Sequence, residues 1–79
     1  METSKYYPVT AIFKCSKHHN NKLYEDNQSR ILTISDNKSN TLDTIKFEIK
    51  HLKKFYNFET VEFIKIMTVD KDITILDLI

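Results

Sequence analysis

Seventy-nine residues make one small domain whose core lies near the lower limit of independent stability, too small to enclose a large active-site cavity. Twelve basic against eleven acidic side chains leave the chain nearly neutral, which argues against a protein that holds nucleic acid mainly by bulk charge. The lack of any glycine excludes phosphate-cradling loops and nucleophile elbows and disfavours type I′ hairpin turns, since all three lean on glycine for positive φ or close backbone approach.

Met1 to Lys5 read as a polar leader. From Tyr6 to Cys15 the residues alternate, with Tyr7, Val9, Ala11, Phe13 and Cys15 on one face and Tyr6, Pro8, Thr10, Ile12 and Lys14 on the other. That is a first strand, with Pro8 suited to its start or to an edge. Ser16 to Ser29 is polar except for Leu23 and Tyr24, and reads as a loop longer than a hairpin ordinarily carries. Arg30 to Ser35 is a second strand, with Arg30, Leu32 and Ile34 on one face and Ile31 and Thr33 on the other. Asp36 to Asn40 is a turn.

Leu42, Ile45, Ile49, Leu52 and Tyr56 then recur at alternating spacings of three and four, the period of an amphipathic helix over Thr41 to Asn57. Ser39, Asn40 or Thr41 would cap its start, and Asp43 would complement the positive end of its dipole. Lys50, Lys53 and Lys54 suit the other end, and Asn57 can close the helix in the left-handed conformation where glycine is missing. Val61 to Val69 and Ile73 to Ile79 read as two more strands joined by an Asp70-Lys71-Asp72 turn. The expected architecture is a single α+β domain over residues 1–79, a four-stranded mostly antiparallel sheet in ββαββ order with one helix packed on one face. A β-grasp arrangement and a ferredoxin-like half completed by dimerisation are the alternatives.

The segment from Ser39 through Ile49 resembles the stretch that opens the main helix of ubiquitin-like domains. Asp72-Ile73-Thr74-Ile75-Leu76-Asp77-Leu78 is similar to the Thr-Leu-x-Asp-Leu turn late in such domains. The resemblance covers about a quarter of the chain and implies a β-grasp topology that stops before the family's last strand. No terminal diglycine accompanies it, so conjugation chemistry is not implied.

A lone cysteine, Cys15, precludes an internal disulfide. With no signal peptide and no long apolar run, the expectation is a reduced, cytoplasmic protein that does not enter a membrane. Abundant Lys, Ile and Asn beside few Arg and Ala is what an AT-rich genome encodes, pointing to a virus, phage or AT-rich bacterium as source.

Cys15, His18 and His19, with His51 or Asp26 as a fourth ligand, invite a zinc reading, but their spacing matches no standard site. A strand cysteine followed by loop histidines is the pattern of a small core residue beside solvated side chains. Cys15 with a histidine also suggests a nucleophile and base, yet no oxyanion hole or orienting group accompanies them. Asp70 with Asp72 and Glu25 with Asp26 fall in expected turns, without apolar surroundings to raise a pKa. Neither an enzyme nor a metal or other cofactor is expected.

Surfaces carry more. Lys46, Lys50 and Lys53 flank the apolar stripe and Lys54 continues the row, able to meet phosphates or an acidic partner. Phe47 lies almost opposite the stripe, ringed by Asp43, Lys50, His51 and Lys54. On the sheet, Ile12, Ile31, one of Phe63 and Ile64, and one of Met67 and Ile66 leave apolar groups on the face the helix cannot cover. The expected function is a non-catalytic protein-binding module, with Phe47, Lys46, Lys50, Lys53 and Lys54 facing the partner. One version is a small inhibitor or adaptor encoded by a virus or mobile element, and a homodimer is a second form of the contact. The alternative is a small nucleic-acid-binding protein using the basic helix flank.

Overall fold

The computed structural model describes residues 5–79, so the expected polar leader falls, save Lys5, outside the described residues. Strands β1 (Tyr6–His19) and β2 (Lys22–Ser35) form an antiparallel hairpin in one unbroken register, from Tyr6 opposite Ser35 to His19 opposite Lys22. The stretch expected as a loop over Ser16 to Ser29 is therefore strand on both sides of a two-residue turn. Asn20 and Asn21 make that turn with φ of 52° and 63°, the positive pair that a type I′ turn requires. Asparagine, which tolerates the left-handed region better than other residues with a Cβ, does what glycine usually does there.

The turn fixes which backbone groups point where. A two-residue turn makes His19 and Lys22 a hydrogen-bonded pair, so odd residues of β1 and even residues of β2 bond each other. Even residues of β1 face the opposite way, and the Glu59 N–H accordingly donates to the Ser16 carbonyl at 2.8 Å. Pro8 is even-numbered and lies beyond Thr10, where pairing with the next strand ends. Its missing N–H thus costs neither ladder a bond.

Helix α1 (Lys38–Tyr56) begins three residues earlier than the periodicity indicates, and its cap is Asn37, whose side chain accepts from the Asn40 N–H at 3.2 Å. Thr41, one of the expected caps, is instead buried inside the first turn, and its hydroxyl donates to the Ser35 carbonyl at 3.1 Å. Asp43 lies past the first turn, which holds no acidic residue. Asn57 ends the helix at φ 59°, as expected, with Lys53 and Lys54 in the last turn.

Strand β3 (Thr60–Met67) pairs with β1, and β4 (Asp72–Ile73) is only two residues long. The expected strand over Ile73 to Ile79 gives way to a helical turn, α2 (Ile75–Leu78). The reason is local: Asp77 Oδ2 accepts from the Thr74 N–H at 2.8 Å, and the Asp77 N–H donates back to the Thr74 carbonyl at 3.0 Å. That reciprocal closure starts a helix and outweighs the β-branched residues around it.

The sheet order is β2-β1-β3-β4 with every pair antiparallel. Since β2 and β3 both oppose β1, they run the same way, and α1 connects them across it as a split βαβ crossover. The helix packs on one face of the sheet, over Val9, Ala11, Phe13 and Cys15 of β1, Leu32 and Ile34 of β2 and Ile66 of β3, with Ile45 and Leu52 pointing down from α1. Tyr56, expected to end the apolar stripe, is more than a third exposed and lies against the Arg30 guanidinium, 4.6 Å from its ring centroid. A bulge breaks the register of β3 at Ile64. It lets Phe63 and Ile66, three residues apart, both turn inward while Ile64 and Met67 face out. The hairpin sets the long axis of a molecule 54 Å by 23 Å by 20 Å.

Candidate interaction surfaces

The outward face of α1 carries two exposed aromatics. Phe47 is 71% and Phe55 63% exposed, and eight residues of helix place them two turns, about 12 Å, apart. Between them stands His51, its ring 4.6 Å from that of Phe55, while Lys54 Nζ lies 5.6 Å from the Phe55 centroid. Phe47, Lys50, His51, Lys54 and Phe55 together line a shallow groove. The groove presents apolar ring surface with cations beside it, an arrangement suited to an acidic partner that brings an apolar side chain.

Of the four lysines singled out from the sequence, Lys50 and Lys54 join this groove. Lys46 and Lys53 are exposed but lie on the flank, about a quarter turn or more from Phe47. Phe55 is the member that sequence reasoning passed over. Its signal is the four-residue step Phe47, His51, Phe55, which marks a second stripe on the helix.

The uncovered face of the sheet is the other apolar surface. Ile31 is 79% exposed on β2, and Ile64 and Met67 add side chains from β3. A wide depression lined by Ile12, Lys14, Glu25, Asp26, Asn27 and Ile64 opens beside them. Glu25 and Asp26 therefore belong to a strand and not, as expected, to a turn.

The residues considered for chemistry are dispersed. Cys15 is fully buried, and burial first, then the Asp26 carboxylate, push its thiol up, partly offset by Arg30. A nucleophilic role needs the opposite shift. His18 is tied to Glu59, whose carboxylate accepts from the His18 backbone N–H at 3.0 Å and lies 2.9 Å from Nδ1. Those hydrogen bonds from His18, side chain first, hold the Glu59 carboxyl below its usual range. Asp72 pairs with Lys65 at 3.0 Å. Among the described residues no three or more His, Cys, Asp or Glu side chains converge as a metal site, and no helix is long and apolar enough to cross a membrane.

Comparison with family models, with curated proteins and with solved structures found no match to this chain.

Proposed function

We propose that this chain is a non-catalytic protein-binding module that acts inside the cell, its contact surface the outward face of α1 centred on Phe47. The observation that carries the reading is the pairing of two exposed aromatics with Lys50 and Lys54 in one groove. Large rings held out on a rigid helix lose little entropy on binding, and such side chains dominate interface energetics when a partner covers them. The partner is a larger protein offering an acidic surface with an apolar depression. The small size and AT-rich composition suit a virus- or mobile-element-encoded inhibitor or adaptor that covers a surface of its target. The test is a titration of the target, once captured, against wild type and Phe47→Ala. A loss of about 2 kcal/mol or more of binding with an unchanged fold is expected; equal affinity would move the contact off this face.

A second reading rests on Lys46, Lys50, Lys53 and Lys54, all exposed along one side of α1. It makes the chain a nucleic-acid-binding protein, whose affinity must fall steeply with salt as phosphate contacts release counterions. On the protein-binding reading only weak, non-specific binding is expected. Tight binding to a defined DNA or RNA at physiological salt, abolished by changing the four lysines to glutamate, would favour the second reading.

A further inference from the structure

β2 is the outermost strand of the sheet and its outer edge has no strand beside it among the described residues. The ladder parity set by the turn directs its even residues toward β1, so Leu23, Glu25, Asn27, Ser29, Ile31 and Thr33 offer their backbone N–H and C=O groups to the open edge. Ser35, next in that series, already accepts from the Thr41 hydroxyl. The open stretch holds no proline and its register with β1 has no bulge. Proline and bulges are the usual devices that keep an edge from pairing.

We propose that this edge pairs with the same edge of a second copy, antiparallel, about a two-fold axis at Asn27, joining two four-stranded sheets into one. Only odd residues reach the edge, so the partners must share parity, which leaves a few possible centres. Centring on Asp26 sets Asp26 against its own copy, and centring on Arg30 does the same with Arg30; both oppose like charges. Centring on Gln28 sets Glu25 against Ile31, and centring on Ser29 sets Ile31 against Asn27 and Leu23 against Ser35, so neither exposed apolar residue meets another. Centring on Asn27 sets Leu23 against Ile31 on the outer face, twice by symmetry, and these are exposed by 54% and 79% in the single chain. On the helix side the same register sets Tyr24 beside Arg30 of the second copy and Asp26 beside Gln28. The Arg30 guanidinium already lies against Tyr56 and Glu48 of its own chain, so Tyr24 meets the edge of that cluster, while Asp26 with Gln28 is a complementary carboxylate and amide pair. One register thus covers the exposed apolar residues of β2 and opposes no like charges from Leu23 to Ile31.

The surface is separate from the outward face of α1, so Phe47→Ala should leave the dimer unchanged. Sedimentation equilibrium up to millimolar concentration should give a reversible dimer of the wild-type chain. Asn27→Pro removes an N–H that points outward and leaves the β1 ladder whole; it should raise the dimer dissociation constant at least about tenfold with an unchanged far-UV spectrum. The register is read by oxidising two variants in which Cys15→Ser removes the native thiol. With Asn27→Cys the two-fold-related Cα atoms lie about 5.5 Å apart, within disulfide span, and a covalent dimer should form. With Ser29→Cys they lie about 14 Å apart and it should not. A chain monomeric at every concentration, a dimer indifferent to Asn27→Pro, or cross-linking through Ser29→Cys in preference to Asn27→Cys would each overturn the proposal. Should Asn27→Pro fail to fold, the cross-linking pair decides alone.

Discussion

Phe13 is fully buried beneath α1 with its ring 5.8 Å from that of Phe63, whereas Phe47 stands on the far side of the helix, 71% exposed. Phe13→Ala removes transfer energy and leaves a cavity, and is expected to cost about 3–5 kcal/mol. In a domain of this size that approaches the whole stability. Phe47→Ala should change the stability of the single chain by about 0.5 kcal/mol or less, and urea unfolding of the two variants measures both. Two carboxylates define the acid side. Hydrogen bonds lower Glu59, chiefly from the His18 side chain, and Asp77, chiefly from the Thr74 backbone. A lowered native pKa stabilises fully above the ordinary values of 4.5 and 3.8, and that contribution is lost as pH falls through the lowered ones. Melting temperatures should therefore drop on acidification below those values, and drop less in Glu59→Gln and Asp77→Asn.

The turn and the caps are where single residues decide whole elements. Asn21→Val forces a β-branched side chain into a left-handed φ and should cost about 1–2 kcal/mol. Asn37→Ala should cost about 1 kcal/mol through loss of the helix cap, while Ser39→Ala, at one of the three positions the sequence offered as caps, should cost far less. These contrasts mark the limits of what could be read from the chain. The faces of β1 were legible because Val9, Ala11, Phe13 and Cys15 alternate with side chains that meet solvent. The outer half of the hairpin was not, because most side chains from Lys17 to Asn27 are exposed on both faces. No alternation can appear where neither face is buried, and only the ladder reveals the strand. In β3 the bulge at Ile64 shifts the period by one, so assigning Phe63 or Ile64 to the core needed the structure. Near the end, Ile73 to Ile79 had a strand's composition but the Thr74 and Asp77 pair of a helix start. At the candidate site, Phe47 was legible from the phase of the helix; Phe55 was masked by its neighbour Tyr56, which that phase placed in the core.

Among the described residues, α1 and the sheet enclose a single buried layer, to which α2 adds Leu78. Truncating Leu52, fully buried at the centre of that layer, should therefore unfold the chain cooperatively, with a cost of about 2–5 kcal/mol for Leu52→Ala. The hairpin continues beyond β3, which reaches only to Ser16 of β1, so the segment from Lys17 to Tyr24 projects as a two-stranded arm. Apart from the His18 N–H, which donates to the Glu59 carboxylate, its backbone is held from one side only. Amide exchange with deuterium should register this as a two-beat pattern along β2: slow at the even residues bonded to β1, fast at the odd residues from Leu23 to Thr33, whose N–H groups meet water without any opening of the fold. In β1, where β2 and β3 flank both sides, Ala11 to Cys15 should exchange most slowly of all. As protein concentration rises, the fast beats between Leu23 and Ile31 should slow toward their neighbours, so the isotope would count how much of that edge a second chain has closed.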